Sequence, residues 1–160
     1  MPDATLRSVA ELNTTRAKQF ERANVAIPAT YKAPSGTAAG TVIRFARVRS
    51  FARVHPDSAL WADALGGGTL ALGFTPSVAG PAGDPNTPAP APNALITGVS
   101  LTAAKTRVDI LADHANAGKT VWELMGLDKD PDCFLDVIGT TGGTTTAEGD
   151  ITLLLSLYYG

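Results

Sequence analysis

Alternation of apolar and polar positions divides most of this chain into short β-strands. Residues 69–75 (TLALGFT) place Leu70, Leu72 and Phe74 on one face and small residues on the other, a period of two that is typical of a half-buried strand. Residues 151–159 repeat the pattern, with apolar side chains at every second position. Both stretches are therefore predicted to present an apolar stripe to a core.

The stretch before residue 69 is also strand-like, but it carries arginines. Residues 41–49 (TVIRFARVR) are rich in β-branched and aromatic side chains, a composition that favours a strand. We expect neighbouring elements to cover both faces of this strand. We also expect it to pair with the strand at 69–75.

Shorter apolar runs predict the remaining elements. Strands are expected at residues 95–102 and 106–112, and a closing hairpin between residues 133–140 and 151–159. Residues 120–126 (TVWELMG) combine a threonine cap, a helix-compatible run and a terminal glycine, which predicts one short helix. Roughly eight strands with irregular connections indicate an all-β fold, a β-sandwich or jelly roll.

The length of 160 residues favours a single domain with additional segments. Residues 1–28 are predicted to form an N-terminal arm, because their helical stripe is interrupted at Asn13. Residues 29–160 then form the sandwich domain. Within it, residues 76–93 hold six prolines and little apolar surface, so we expect an exposed, proline-rich loop.

Composition and charge exclude several classes of function. The formal net charge of −2 provides no overall electrostatic attraction for nucleic acid or an anionic membrane. Cys133 is the sole cysteine, which rules out an intrachain disulfide and a cysteine zinc site. No signal peptide and no apolar run of membrane-spanning length is recognised, so we expect a soluble protein without a cofactor.

Two motifs with metal or phosphate chemistry match only in part. The run Gly118-Lys119-Thr120 precedes the predicted helix, but Asp113 occupies the position where a phosphate-binding loop needs its first glycine. Residues 128–132 (DKDPD) resemble the start of a calcium loop. Cys133 and Gly139 then replace the glycine and the bidentate glutamate that such a loop needs, and a solvated acidic turn is the preferred interpretation.

No catalytic residue is predicted. His55 and His114 fall in loops, and no Gly-x-Ser-x-Gly sequence is present to supply a nucleophile. Trp61 and Trp122 lack a surrounding basic stripe, so we interpret them as core or interface anchors and not as platforms for bases.

Five elements occur in an order that matches a known group of proteins. They are an N-terminal arm, the strand GTVIRFARV, the element SALWADALGGGTLALGF, the helix GKTVWELMGL, and the terminal strands DCFLDVIGT and GDITLLLSLYY. Over residues 29–159 this order resembles small head-associated structural proteins of tailed bacteriophages. It is most similar to the jelly-roll cement, or decoration, proteins of the outer capsid surface.

The resemblance implies a mechanical function. Such a protein is made in the bacterial host cytoplasm, binds the major capsid protein across subunit junctions on the outside of the virion, and stabilises the shell. A homo-oligomer, dimer or trimer, is expected because several weak contacts then act together. No direct contact with nucleic acid or membrane is implied.

Three alternatives remain open. A head fibre or a tail component would suit the same β-rich composition. A nucleotide-dependent enzyme would have to use Gly118-Lys119-Thr120. A carbohydrate-binding sandwich is less favoured, since the chain has only two Trp and three Tyr on which sugar rings could stack.

The residues expected to contact the capsid or a sister subunit fall into two groups. The arm contributes apolar side chains that a purely solvating tail would not need, and the strand region contributes positive charges for orientation. These candidates are Phe20, Val25 and Ile27 in the arm, and Arg44, Arg47, Arg49 and Arg53 in the strand region.

Overall fold

Two antiparallel β-sheets, packed face to face, make up the described part of the protein. The structure is a computed structural model and describes residues 25–78, 87–111 and 114–159. Within these ranges nine strands are present and helix is almost absent. The prediction of an all-β sandwich is confirmed.

The first sheet has the strand order β1-β9-β4-β7, and β3 pairs with β9 beside β4. The second sheet has the order β2-β8-β5-β6. The strands of the first sheet are β1 (Val25–Ala33), β3 (Arg53–Val54), β4 (Ala59–Ala62), β7 (Lys105–Asp109) and β9 (Gly149–Tyr158). Those of the second sheet are β2 (Val42–Arg49), β5 (Thr69–Pro76), β6 (Ala91–Ser100) and β8 (Phe134–Gly142).

Only two short helical elements accompany the sheets in the described residues. A single 3₁₀ turn spans His114–Asn116, and the helix α1 spans Val121–Leu124. The helix lies where the sequence predicts it, directly after Thr120.

The core lies between the inward faces of the two sheets. Leu70, Leu72 and Phe74 of β5 are fully buried, as the alternation predicts. From the opposite sheet, β9 contributes four more fully buried side chains at every second position. These are Ile151, Leu153, Leu155 and Leu157. Burial of this apolar surface is the main favourable contribution to folding.

The closing hairpin predicted from β8 and β9 is wrong. β8 belongs to the second sheet and β9 to the first, so their apolar faces meet across the core. The loop between β8 and β9 is hydrogen-bonded to the segment after β1. Gly36 N–H donates to the Thr145 carbonyl (2.9 Å), and Thr145 N–H donates to the Thr37 carbonyl (3.0 Å). Alternation identifies the buried face of a strand but not the sheet to which it belongs.

The expectations for β2 also need correction. β2 does not pair with β5, because β8 lies between them. It is an edge strand with one covered face: Ile43 and Val48 are buried, whereas Val42 is 53% exposed. A bulge between Arg44 and Ala46 shifts the register, which directs arginines on both sides of it outward.

The boundary between arm and domain lies earlier than predicted. β1 begins at Val25 and pairs with β9 from Val25↔Leu157 to Ala33↔Gly149. Pro28 is compatible with this strand because β1 is at the edge of its sheet. Residues 25–28 therefore belong to the sandwich, while residues 1–24, including Phe20, lie outside the described residues.

The proline-rich segment is shorter than predicted. β5 extends to Pro76 and β6 begins at Ala91, while residues 79–86 lie outside the described part. The backbone of Ala91 and Pro92 passes so close to Gly73 that a Cβ atom at that glycine would overlap the Ala91 carbonyl oxygen. Pro88 is buried as well, so the described end of this segment packs against the sheet.

We predict that Leu155→Asp strongly destabilises the protein. The substitution places an unpaired charge in a fully buried position, which lowers the free energy of unfolding by about 4 kcal/mol or more. Chemical denaturation followed by circular dichroism measures the change. The control is Thr97→Asp on the exposed side of β6, for which we expect a change of about 0.5 kcal/mol or less. Equal stability of Leu155→Asp and the parent would contradict the assignment of this face to the core.

Candidate functional site

The four candidate arginines do not form one cluster. Arg44, Arg47 and Arg49 project from the outer face of the second sheet along β2. Arg53 lies in β3 of the first sheet, and its guanidinium donates a hydrogen bond to the Gly118 carbonyl. The structure therefore separates Arg53 from the other three.

Asp136 of β8 forms ion pairs with two of these arginines. Arg44 Nη1 lies 3.1 Å from Asp136 Oδ2, and Arg47 Nε lies 3.0 Å from Asp136 Oδ1. Ser77 Oγ donates a third hydrogen bond to Oδ1 at 2.6 Å. The carboxylate is 5% exposed, whereas the two arginine side chains are 63% and 58% exposed. This cluster is a local ion-pair network that also ties the segment after β5 to the sheet.

The electrostatics of Asp136 follow from these contacts. Burial acts to raise the pKa of the carboxyl. The hydrogen bonds from Ser77 and Arg47, with the positive charges of Arg47 and Arg44, outweigh that effect and hold the pKa of Asp136 below its ordinary value. Asp136 therefore remains an anion at neutral pH despite its burial.

Arg49 belongs to a different group, which we call the aromatic patch and define as Arg49, Phe51, Phe134 and Tyr159. The Arg49 guanidinium carbon lies 4.0 Å from the centre of the Phe134 ring, within the range of a cation–π interaction. The rings of Phe51 and Tyr159 meet edge to face with 5.7 Å between their centres. Burial raises the pKa of Tyr159, and the charge of Arg49 opposes this effect.

The aromatic patch is exposed apolar surface. Phe51 is 41% exposed and Phe134 is 47% exposed. Aromatic and arginine side chains are enriched at protein interfaces and among the residues that dominate binding energy. The patch therefore has the chemistry of a docking surface.

The start of β1 lies close to this patch. Val25 is paired with Leu157, two residues before Tyr159, so residues 1–24 join the fold at this end of the sandwich. Val25 and Ile27 are themselves half-buried in β1, and Ile27 packs against the core. The structure thus gives Ile27 a role in the sandwich, close to the point where residues 1–24 connect to β1.

A shallow cleft of about 270 Å³ opens beside Phe134, between the ends of β5 and β8. Its lining includes Pro76, Val78 and Pro88, and Cys133 lies at one side. Burial raises the pKa of the Cys133 thiol, and the nearby carboxylates of Asp130 and Asp132 act in the same direction. The thiol is therefore protonated at neutral pH and is a poor nucleophile.

Neither Phe51 nor Phe134 is among the contact residues predicted from the sequence. A signal for Phe134 was present, because the inward positions of β8 are Leu135 and Val137, which directs Phe134 to the opposite face. The nearness of Phe51 to Tyr159 depends on a chain reversal between β2 and β3, which periodicity does not reveal.

The groups of Gly118-Lys119-Thr120 are already engaged. Thr120 donates to the Glu123 carboxylate from both its N–H and its Oγ1, each at 2.7 Å, and Lys119 Nζ donates to Asn116 Oδ1 at 3.0 Å. The backbone hydrogen bond from Thr120 lowers the pKa of Glu123, so a carboxylate occupies the position that an anion would need. This arrangement is a helix cap.

The acidic segment 128–132 forms a turn. Asp130 Oδ1 accepts hydrogen bonds from Asp132 N–H at 2.9 Å and from Ser50 Oγ at 2.5 Å. Asp132 adopts a positive φ of 46°, which is compatible with aspartate in a turn. Across residues 25–78, 87–111 and 114–159, no group of three or more His, Cys, Asp or Glu side chains is arranged to hold a metal ion.

The histidines and tryptophans are dispersed. His55 Nδ1 accepts a hydrogen bond from Asp57 N–H at 3.2 Å within its own turn, and His114 lies in the 3₁₀ turn. Trp122 lies half-buried in α1, whereas Trp61 lies half-buried in β4.

No helix in the described part of the chain is long and apolar enough to cross a membrane.

Two solved structures share this fold. A chain from the "Capsid of Ralstonia phage GP4" aligns with a TM-score of 0.58 and 20% identity, covering 86% of this chain and 85% of that one. A chain from the "Cyanophage Pam1 capsid asymmetric unit" aligns with a TM-score of 0.54 and 10% identity, covering 87% and 86%. No protein-family model and no curated protein sequence matches the chain. At these identities the similarity shows a common fold.

We predict that Asp136→Asn removes a pH-dependent contribution to stability. The folded-state pKa of Asp136 is lowered, so its contribution is present above roughly pH 4 and is lost as the pH falls through the folded value. The free energy of unfolding of the variant should be lower than that of the parent by about 2 kcal/mol at pH 7, and this difference should shrink in acid. Urea unfolding at several pH values measures it.

Asp109→Asn is the matched control, because Asp109 pairs with Arg107 while 57% exposed on the other sheet. Exposed ion pairs contribute little to stability, so the free energy of unfolding of this variant should match that of the parent at every pH. A deficit in Asp136→Asn that stays constant down to the acid limit would show that the carboxylate charge is not what stabilises this network.

Proposed function

We propose that this protein is a structural component of a tailed-phage virion that binds the outer surface of the capsid and stabilises the shell as a cement, or decoration, protein. The observation that carries the proposal is the fold similarity to two chains from phage capsid structures, which extends over most of both chains in each case. The proposal has the major capsid protein as the partner and several copies of this chain as the working unit.

The connectivity of the sandwich supports the jelly-roll part of the proposal. β1, β3, β4, β7 and β9 lie in one sheet and face β2, β5, β6 and β8 in the other, so the chain changes sheets at every connection except β3–β4 and β5–β6. Two interlocked Greek keys have this connectivity. A rigid sandwich of this kind suits a protein whose task is mechanical.

The described surface suggests how the protein docks. The aromatic patch supplies two exposed rings and a cation at the end of the sandwich where residues 1–24 join β1. In the proposal, the patch and the arm, with Phe20, together form the capsid contact. Buried aromatic anchors then supply most of the affinity.

The arginines take different roles in this proposal. Arg49 lies in the patch and is available to a partner carboxylate. Arg44 and Arg47 share the single Asp136 carboxylate and keep exposed side chains with a net positive charge, so they orient the approach more than they add affinity. Arg53 is engaged with Gly118 and stabilises the fold.

We predict that removal of residues 1–24 and disruption of the aromatic patch each weaken attachment to capsids. The test adds purified protein to particles that lack it and measures bound copies after sedimentation. Phe51→Ser with Phe134→Ser should reduce apparent affinity by about tenfold or more, because both rings are exposed anchors. Thermal unfolding of each variant establishes that the sandwich is intact.

Val42→Ser is the control, since Val42 is an exposed apolar residue at the opposite end of β2. It should attach as the parent does. Imaging of decorated particles distinguishes the alternatives: copies distributed over the shell support a cement protein, and copies confined to one vertex indicate a fibre or tail component. Full attachment of both the truncated and the double variant would overturn the proposed surface, and absence of any attachment by the parent would overturn the function.

A further inference from the structure

A second concave surface lies on the outer face of the first sheet, in the half of the sandwich that does not carry β2. This cleft has a volume of about 280 Å³ and lies where β4 and β9 meet the start of β7. Its lining includes Trp61, Asp63, Lys105, Thr106, Asp150 and Thr152. One large aromatic side chain is thus surrounded by groups that donate and accept hydrogen bonds.

The fold places Trp61 on the outside. Its neighbours Leu60 and Ala62 are buried in the core, so Trp61 projects to the opposite face, where it lies directly across from Thr152 of β9. A bulge in the pairing of β4 with β7 falls between Leu60 and Ala62, at Trp61 itself. Bulges commonly re-aim a side chain next to a functional site.

The polar groups beside Trp61 are held in place by the backbone. Asp63 N–H donates to the Asp150 carbonyl at 2.9 Å, and Asp150 N–H donates to Asp63 Oδ2 at 2.8 Å. Among the residues that the structure describes, the Asp150 carboxylate and the Lys105 ammonium group have no hydrogen-bond or ion-pair partner. Two charged groups with unused bonding capacity therefore border a half-exposed indole.

We propose that this cleft binds a neutral oligosaccharide. A pyranose ring has a face of C–H bonds that can lie on the indole, whose own face is apolar and electron-rich. The hydroxyl groups at the edge of that ring both donate and accept hydrogen bonds, which matches the Asp150 carboxylate, the Lys105 ammonium group and the Thr106 hydroxyl.

The charge of the cleft restricts the ligand further. Asp63 and Asp150 supply two negative charges against the single positive charge of Lys105. Sugars that carry carboxylates or phosphates would be repelled, and so would the phosphates of a nucleotide whose base could also stack on Trp61. A neutral saccharide is the class of ligand that uses the ring and the polar groups together.

This activity is separate from the proposed capsid contact. The cleft is on the first sheet, whereas three members of the aromatic patch and the ion-pair network of Asp136 belong to β2, β8 or their ends. A protein attached through the patch and arm would keep the saccharide cleft open. Binding of saccharide by the isolated chain is therefore independent of whether the capsid proposal holds.

The experiment titrates the full chain with a panel of neutral oligosaccharides: maltotriose, cellotriose and triacetylchitotriose. Trp122→Phe provides the background, because the chain has two tryptophans and Trp61 then becomes the only indole reporter. We expect a saturable change in fluorescence at micromolar to millimolar concentrations of at least one sugar. A galacturonic acid trimer should give no change.

Two further variants locate the site. Trp61→Ala, followed by calorimetry in the native background, should weaken binding by about tenfold or more. Asp150→Asn keeps the backbone pairing with Asp63 and should also weaken binding, which covers the case in which Trp61→Ala fails to fold. Thr97→Ala, on the exposed edge of the other sheet, should bind as the parent does.

Loss of affinity in Asp150→Asn or in folded Trp61→Ala, with normal binding by Thr97→Ala, would support the proposal. No binding of any panel sugar at millimolar concentration would overturn it. Binding that survives both cleft variants would also overturn it, as would tighter binding of the acidic trimer.

Discussion

The inward apolar stripe of β9 is the feature on which the rest of the structure depends. Its fully buried leucines face the stripe of β5 across the core, while its two edges hold β1 on one side and β3 and β4 on the other. The strand thus joins sheet formation and core formation in one element. Its outward residues, between the buried ones, are left to shape the surface, and Asp150 and Thr152 in the Trp61 cleft are among them.

The two surfaces with distinct chemistry are built on opposite sheets. The second sheet carries cations and exposed rings, with Asp136 as a buried anion that organises two of the arginines. The first sheet carries one indole with a mostly acidic surround. Most residues of both surfaces lie in paired strands or directly beside them, so a ligand would meet a largely preformed surface, which lowers the entropic cost of binding.

Hydrophobic patterning predicts a structural feature correctly where that feature depends on a single segment of the chain. The burial of Leu70, Leu72 and Phe74 follows from alternation alone, and the position of α1 follows from the cap at Thr120 and the glycine after it. The pairing of strands cannot be predicted in this way, because alternation identifies the buried face of a strand but not the strands that lie next to it. For this reason the sequence predicts a hairpin of β8 and β9 that does not form, and it groups Arg53 with arginines that belong to the other sheet. The Trp61 cleft is assembled from β4, β7 and β9, so no single stretch of sequence contains its signal.

The pairing of β1 with β9 has a consequence for how the protein is made. It joins the first and last described strands over nine residue pairs. The conformational entropy of closing so long a loop is lost before the contacts between the two strands can stabilise the fold. A chain emerging from the ribosome can form the second sheet from β2, β5, β6 and β8 before β9 is complete. Until then, the apolar faces of that sheet remain uncovered. The interval between synthesis of β8 and β9 is therefore the period in which this protein is most exposed to aggregation, and the hydrogen bonds of Thr145 to the segment after β1 hold the two regions together at the point where the chain changes sheets.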